Sequence, residues 1–511
     1  MPLRFSYELA ASWPSLAWLA QCETGSDSIR LVHGPGVECR TDWFCEAVWD
    51  GDFAAGELDR TDLVFGSGGR ARDGRVTFVS AGAPIDRLQF AVRDKVTFVS
   101  NSLACLLEGI NARFDPDFHG YDEFFEQVVL GIDREFPDLP IAGGGVGMMY
   151  FHNLEWDGER LHRTPKPPSQ RDFGTFEKYE GFFTGALRRI GDNMASGDRS
   201  APLEWLGTIS QGYDSPTCAA AARAAGLKQV FTHDESRPGT RDDGVEIARI
   251  LGVDCVMVDR LAWKGRPAPE PLFLAADAQG KEVMLAGIPL DLNRRVMLTG
   301  HGGDRAWSKE FHPRRLPAYP ALKPGPPASL AGRWHSGLSM TEYRLHQGYI
   351  HLPAPFMGLR QIADLHTLSE SDEMAPWDVA GSYSRPICRR IVEQAGVPRN
   401  LFGTAKTGAS IRFLRGEDSW SASGKRAFFG WLRLHGADHG MSRRALAQVR
   451  LLLRAQDVAL SLGRLKPAFA GRRMRTVAIR LARRIKQSGL NDLAFIWAID
   501  SVRKSYRRPP G

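Results

Sequence analysis

Over the first third of the chain, apolar and polar positions alternate in short runs. Val76-Thr77-Phe78-Val79, Leu88-Gln89-Phe90-Ala91-Val92 and Val96-Thr97-Phe98-Val99 follow the two-residue period of strands with one face buried. Arg93-Asp94 falls between the last two runs, where a hairpin turn belongs. VTFVS occurs at 76–80 and again at 96–100; no longer period accompanies it, so the recurrence is strand propensity and not an internal repeat. This β-rich segment spans residues 1–165 and ends in Arg163-Thr164-Pro165-Lys166-Pro167-Pro168, which reads as a linker.

A second pattern occupies residues 175–415 and is clearest from about residue 200, where strand, turn and helix alternate. Leu203 to Ile209 is a short apolar run, and Ser215 to Ala225 is an Ala-rich helix with Pro216 in its first turn and Gly226 just past its end. Val230-Phe231-Thr232 is a second strand, Asp242 to Leu251 a second helix closed by Gly252, and Cys255 to Val258 a third strand. Such alternation predicts an α/β fold with a doubly wound parallel sheet whose ligands sit at the carboxyl ends of the strands. Beyond about residue 325 the chain reads as helical, and 416–511 as a basic helical region. There Met474, Val477, Ala478, Leu481 and Ile485 share one helical face, while Arg472, Arg473, Arg475, Arg480, Arg483, Arg484 and Lys486 cover the remainder.

Composition narrows the class. With 511 residues, 43% hydrophobic and 24% charged, the chain is a folded protein of two to four domains. Apolar runs of about 18 residues are absent and the first residues lack a secretory core, so the expected compartment is the cytoplasm. Seven scattered cysteines, never spaced as CxxC, fit reduced core thiols, and no structural metal is expected. The net charge of +7 is uneven: residues 421–511 hold 20 Lys and Arg against 4 Asp and Glu, or +16, which leaves −9 for residues 1–420. Such asymmetry can mark a surface that meets phosphates or anionic lipid.

Two segments carry candidate chemistry. Ser210-Gln211-Gly212-Tyr213-Asp214-Ser215 lies between a predicted strand and helix, where a Gly-containing turn aims backbone N–H groups and a helix N-terminus at one point. Ser210 and Ser215 add hydroxyls, and Asp214 is a hard ligand for magnesium on phosphate oxygens. Gly300-His301-Gly302-Gly303-Asp304 follows the predicted strand Val296-Met297-Leu298-Thr299 and supplies a second carboxylate, Asp304. The blander readings are a hydrophilic loop that only caps its helix and a tight turn before Trp307. Together the two segments describe a metal-bridged nucleotide site.

In this order and about 90 residues apart, these motifs resemble the ATP-pyrophosphatase domain of the asparagine synthetase superfamily, which carries SGGxDS at the first position and a Gly-rich run ending in Asp at the second. Phe231-Thr232-His233-Asp234-Glu235 with the following Asp243 to Ala248, Leu352-Pro353-Ala354-Pro355-Phe356-Met357, and Arg385 to Ile391 leading through Val397-Pro398-Arg399 to Gly403-Thr404-Ala405-Lys406-Thr407-Gly408 resemble further family segments, the last ending in its essential lysine. GHGGD itself resembles the run found in lasso-peptide cyclases. The resemblance covers residues 200–415 and only faintly the N-terminal part, through Phe98 to Leu103. It implies a degenerate Ntn-type β-rich domain, then an adenine-nucleotide α-hydrolase-like domain, then a helical extension. It also implies ATP and Mg2+ as cofactors, with Ser210, Gln211, Gly212, Asp214, Ser215, Thr232, Gly300 and Gly302 on the nucleotide, Asp214 and Asp304 on the metal, and Lys406 on the developing negative charge.

Departures from the family reshape the expected activity. Pro2 stands where glutamine-hydrolysing members carry a nucleophilic cysteine, so glutamine hydrolysis has no nucleophile. Gln211 replaces the central loop glycine, Gly358 a family aspartate, and His301 a family glutamate or tyrosine. The expectation is an AMP-forming synthetase that adenylates a small-molecule or peptide carboxylate and transfers it to an amine or ammonia, a lasso-peptide-type macrolactam cyclase being one form of it. His301 is then either the base for the amine or a ring that only bonds the Gly-rich backbone, and Lys406 either acts in catalysis or is a solvated loop lysine. Two other classes stay open: a nucleic-acid-modifying pyrophosphatase-loop enzyme, disfavoured because the GHGGD and Lys406 segments belong to the amide-forming branch, and a scaffold that kept the fold without activity. For the basic region the readings are helices docked on the body, or a cationic face for an anionic membrane or carrier.

Overall fold

In a computed structural model of the chain, described for residues 2–131, 135–237, 239–309, 337–379, 381, 383–404, 408, 410–411, 420–465, 474, 476–478, 480–481, 484 and 488–507, the alternating N-terminal runs become strands of two sheets. Leu88–Arg93 and Val96–Ser100 pair antiparallel with Phe90 opposite Val99, and the turn between them places Asp94 at φ 55°. They belong to a seven-stranded sheet, while Arg75–Val79 belongs to a six-stranded one. Trp18 of the first sheet meets Phe44 of the second with ring centroids 5.0 Å apart and donates from its ring N–H to Ser67 at 3.0 Å. Apolar residues of both inner faces share that core, as the two-residue period requires.

The stretch expected to be a linker is anchored instead. Leu161–Thr164 is the edge strand of the six-stranded sheet, and the Lys166 side chain is buried, donating to the Ser80 carbonyl at 2.7 Å and to Asn153 Oδ1 at 2.9 Å. Burial lowers its ammonium to about 7. Proline-rich composition marks the absence of regular structure after Thr164, and says nothing about whether a polar tip finds partners inside.

The third sheet has five strands, all parallel, in the spatial order Asp254–Val258, Gln229–His233, Glu204–Thr208, Arg295–Thr299, Ile350–Pro353. In chain order this is third, second, first, fourth, fifth. The fifth strand lies in a region expected to be helical; it has four residues, all buried, too few to display a period. The second helix runs over Val245–Leu251 and not from Asp242, because Glu235–Arg237 and Thr240–Arg241 first form a small hairpin.

In the C-terminal region, helices Ala422–His435, Arg443–Leu465 and Leu490–Arg503 are described. Leu490–Arg503 is deeply buried: Phe495 packs on Phe125 at 5.2 Å and Trp497 on Phe428 at 5.2 Å, within a core shared by all three parts of the chain. Buried ion pairs and hydrogen bonds join the same parts. Arg344, just ahead of the fifth strand, meets Glu46 at 2.6 Å and Asp86 at 2.9 Å with all three side chains buried, and Glu342 accepts from Ser102 at 2.6 Å and Tyr506 at 2.9 Å. Of the expected helical face, Met474, Val477, Ala478 and Leu481 are helical, whereas Ile485, Arg472, Arg473, Arg475, Arg483 and Lys486 lie outside the described residues. Among the described residues no helix is long and apolar enough to cross a membrane.

Candidate functional site

In a doubly wound sheet, ligands bind beyond the carboxyl ends of the strands where the spatial order reverses. Here that reversal falls between Glu204–Thr208 and Arg295–Thr299, which pair directly with Leu206 opposite Met297. The Ser210–Ser215 loop leaves the first of these strands and enters the helix Asp214–Ala222; the Gly300–Asp304 loop leaves the second. Segments about 90 residues apart in sequence thus face each other.

The first loop is tied down from several sides. Ser210 and Ser215 hydroxyls lie 3.1 Å apart, the Gly212 N–H donates to Ser210 Oγ at 3.2 Å, the Gln211 N–H donates to Asp242 Oδ1 at 3.2 Å, and the Gln211 carbonyl accepts from Gly403 at 2.8 Å. Gln211 does not adopt positive φ, so its side chain costs no backbone strain at the position where the resemblance leads one to expect glycine. Loop meets loop closely. A Cβ on Gly300 would fall 2.6 Å from Asp214 Cβ and one on Gly303 2.5 Å from Asp214 Oδ1, while Gly302 has φ 88°. The glycines of this run are required by that approach and by the backbone turn.

Asp214 forms an ion pair with Arg385, which the sequence marks only as the start of the run Arg385 to Ile391. Arg385 is 5% exposed and its guanidinium lies 5.4 Å from the Tyr383 ring centre. Burial works against its charge, but Asp214 beside it more than compensates and holds the proton more tightly than in water. Asp304 is solvent-exposed in the short helix Gly303–Ala306. Two carboxylates suit magnesium only if phosphate oxygens and water complete its shell; among the described residues no group of three or more His, Cys, Asp or Glu is arranged to hold a metal alone. Lys406 lies outside the described residues, although Gly408, two positions on, lines a neighbouring cavity.

That cavity, about 190 Å3, opens beside the loop and is bordered by Ser210, Ser215, Thr232 and His301, with Phe231, Met284, Leu285 and Met297 as apolar wall. Thr232 also accepts the Gly244 N–H at 3.0 Å, so it anchors the turn into the next helix. Glu282, another lining residue, is buried and accepts from the Gly337 N–H at 2.9 Å and from the Ser339 hydroxyl; burial raises its carboxyl above the ordinary 4.5.

His301 does more than contact glycine backbone. Its Nδ1 lies 3.1 Å from Thr299 Oγ1 and 3.4 Å from Nε2 of His351, and that Nε2 is 2.7 Å from the same hydroxyl. One hydroxyl donates one proton, so Thr299 donates to one ring and accepts from the other. Burial lowers His301 to about 4, with Asp304 opposing, and burial, His301 and Arg344 drive the fully buried His351 well below 6.5. Both rings are neutral at pH 7. Sequence reasoning missed His351 because it stands on the unrecognised fifth strand, and missed Glu282 because nothing local distinguishes a buried glutamate.

In comparisons with known proteins, neither a family model nor a curated protein matches this chain.

Proposed function

We propose that the chain is an ATP-dependent, AMP-forming amide-bond synthetase of the asparagine synthetase kind. The observation that carries this reading is the meeting of the Ser210–Ser215 and Gly300–Asp304 loops at the strand-order reversal, with Arg385 against Asp214. Oxygen-rich, Gly-lined loops at that point suit a triphosphate, and the apolar wall of Phe231, Met284, Leu285 and Met297 suits a flat base.

A substrate carboxylate attacks the α-phosphorus of ATP, the bond to the β-phosphate oxygen breaks, and an acyl-adenylate and pyrophosphate result. An amine then adds to the acyl carbon and AMP leaves. In the first step the Ser210–Ser215 loop and Arg385 hold the departing pyrophosphate charge, with Lys406 assigned the same task by resemblance. Asp214 and Asp304 would hold magnesium, which supplies charge neutralisation on the phosphates when bound. In the second step His301, neutral and hydrogen-bonded through Thr299 to His351, takes the amine proton; phosphate charge nearby raises its proton affinity once nucleotide is in place.

The test is exchange of labelled pyrophosphate into ATP in the presence of carboxylate pools fractionated from cell extract, followed by a mass search for new amides. Exchange that needs a carboxylate supports the reading. Exchange that needs RNA, or none with any fraction, overturns it.

A further inference from the structure

The 23-residue helix Arg443–Leu465 has two apolar faces. One, with Leu446, Val449, Leu453 and Ala459, is buried against the body. The other carries Leu451, Val458 and Leu462, which remain 68%, 58% and 41% exposed, with exposed Ala455 among them. At 100° per residue these positions form one stripe along the helix, with exposed Arg454 beside it and exposed Arg444 on the same line seven residues before Leu451. An ordinary surface helix turns a polar face outward, so an outward apolar stripe calls for something that covers it.

Charge decides between the candidates. Residues 421–511 carry a net +16, and the helix itself has five arginines against one aspartate, Asp457, which is paired with Lys425 at 3.2 Å. A second copy would bring the same positive field to the contact, and a neutral apolar surface would leave that field unused. The stripe runs along one side of the helix with Arg454 beside it and Arg444 at its N-terminal end, which suits an anionic boundary where leucines enter the acyl edge and arginines reach headgroup phosphates.

We propose that the solvent-facing side of helix Arg443–Leu465 is a peripheral docking surface for an anionic lipid bilayer, with Leu451, Val458 and Leu462 entering the interface. The assignment is independent of the proposed synthetase activity. It puts the membrane contact on a helix whose apolar side the fold leaves outward, and not on the cationic 472–486 segment, for which the sequence left docked helices and an anionic partner both open.

The full-length protein is floated with vesicles of phosphatidylcholine alone or of phosphatidylcholine containing phosphatidylglycerol, at low salt and at about 0.5 M salt, where screening falls to a few ångströms. The expected result is binding to the anionic vesicles only, lost at high salt, and weakened about tenfold or more by Leu451→Asp with Val458→Asp. A milder pair, Leu451→Gln with Val458→Thr, gives an intermediate loss with an unchanged unfolding midpoint, which guards against a folding defect in the aspartate pair. Absence of binding to anionic vesicles at low salt overturns the proposal. So does binding that either pair of substitutions leaves intact, or a stripe-dependent dimer in place of vesicle binding.

Discussion

Replacing His301 by Asn tests whether the fold holds a neutral imidazole beside the candidate phosphate site. Asn keeps a polar group near the Thr299 hydroxyl, 3.1 Å from Nδ1 in the parent, but does not titrate. In the unfolded chain a histidine binds its proton with a pKa near 6.5, whereas burial lowers His301 to about 4. The unfolded state therefore takes up the proton first as the solution is acidified, so this contribution to stability is whole above pH 6.5 and is lost as pH falls toward 4. The full difference corresponds to about 3 kcal/mol, and the solvent contact His301 retains reduces the expected loss between about pH 7.5 and 4.5 to ~2 kcal/mol. Urea unfolding of parent and His301→Asn at both pH values reads this share together with the part of the His351 shift that His301 causes. The parent should lose ~2 kcal/mol more than the variant on acidification. Parallel losses would show that His301 is not held neutral, and would remove the base assigned to it.

Asp214→Asn and Asp304→Asn should each slow carboxylate-dependent pyrophosphate release at least ~100-fold with unchanged circular dichroism, since a lost ligand to a bridging metal costs several kcal/mol. Arg385→Ala should slow the same step ~10-fold or more, and Arg385→Lys should restore only part, because a point charge does not reproduce the guanidinium fork; a full rescue by Lys would reduce the role to charge alone. Lys406→Ala should slow pyrophosphate release with ATP affinity unchanged, and kinetics identical to the parent would make it a solvated lysine. Arg344→Met leaves Glu46 and Asp86 buried without their cation and should cost about 3–5 kcal/mol in urea unfolding at pH 7, a loss that eases at acid pH as the Glu46 carboxyl, which burial raises above the ordinary 4.5, protonates.

Local pattern was enough for much of the frame. Two-residue alternation located the 75–79, 88–93 and 96–100 strands, and glycines after apolar periodicity marked the helix ends at Gly226 and Gly252, both at positive φ. The same reading located the turns that carry Ser210–Ser215 and Gly300–Asp304, because a glycine-rich turn after a strand is a local event. What is not local escaped it. Ile350–Pro353 is too short to show a period and becomes a strand only by pairing with Arg295–Thr299, and His351 becomes part of the site with it. Arg385 reaches Asp214 across 171 residues, and Arg344 reaches Glu46 across 298. Lys166 looked like a linker lysine until Ser80 and Asn153 provided partners inside. Sequence by itself determined where the backbone turns and which side chains stand on those turns. The tertiary structure alone decided which charges are buried together, because the electrostatics of a carboxylate or an imidazole depend on what stands within a few ångströms, and chain order does not encode that distance.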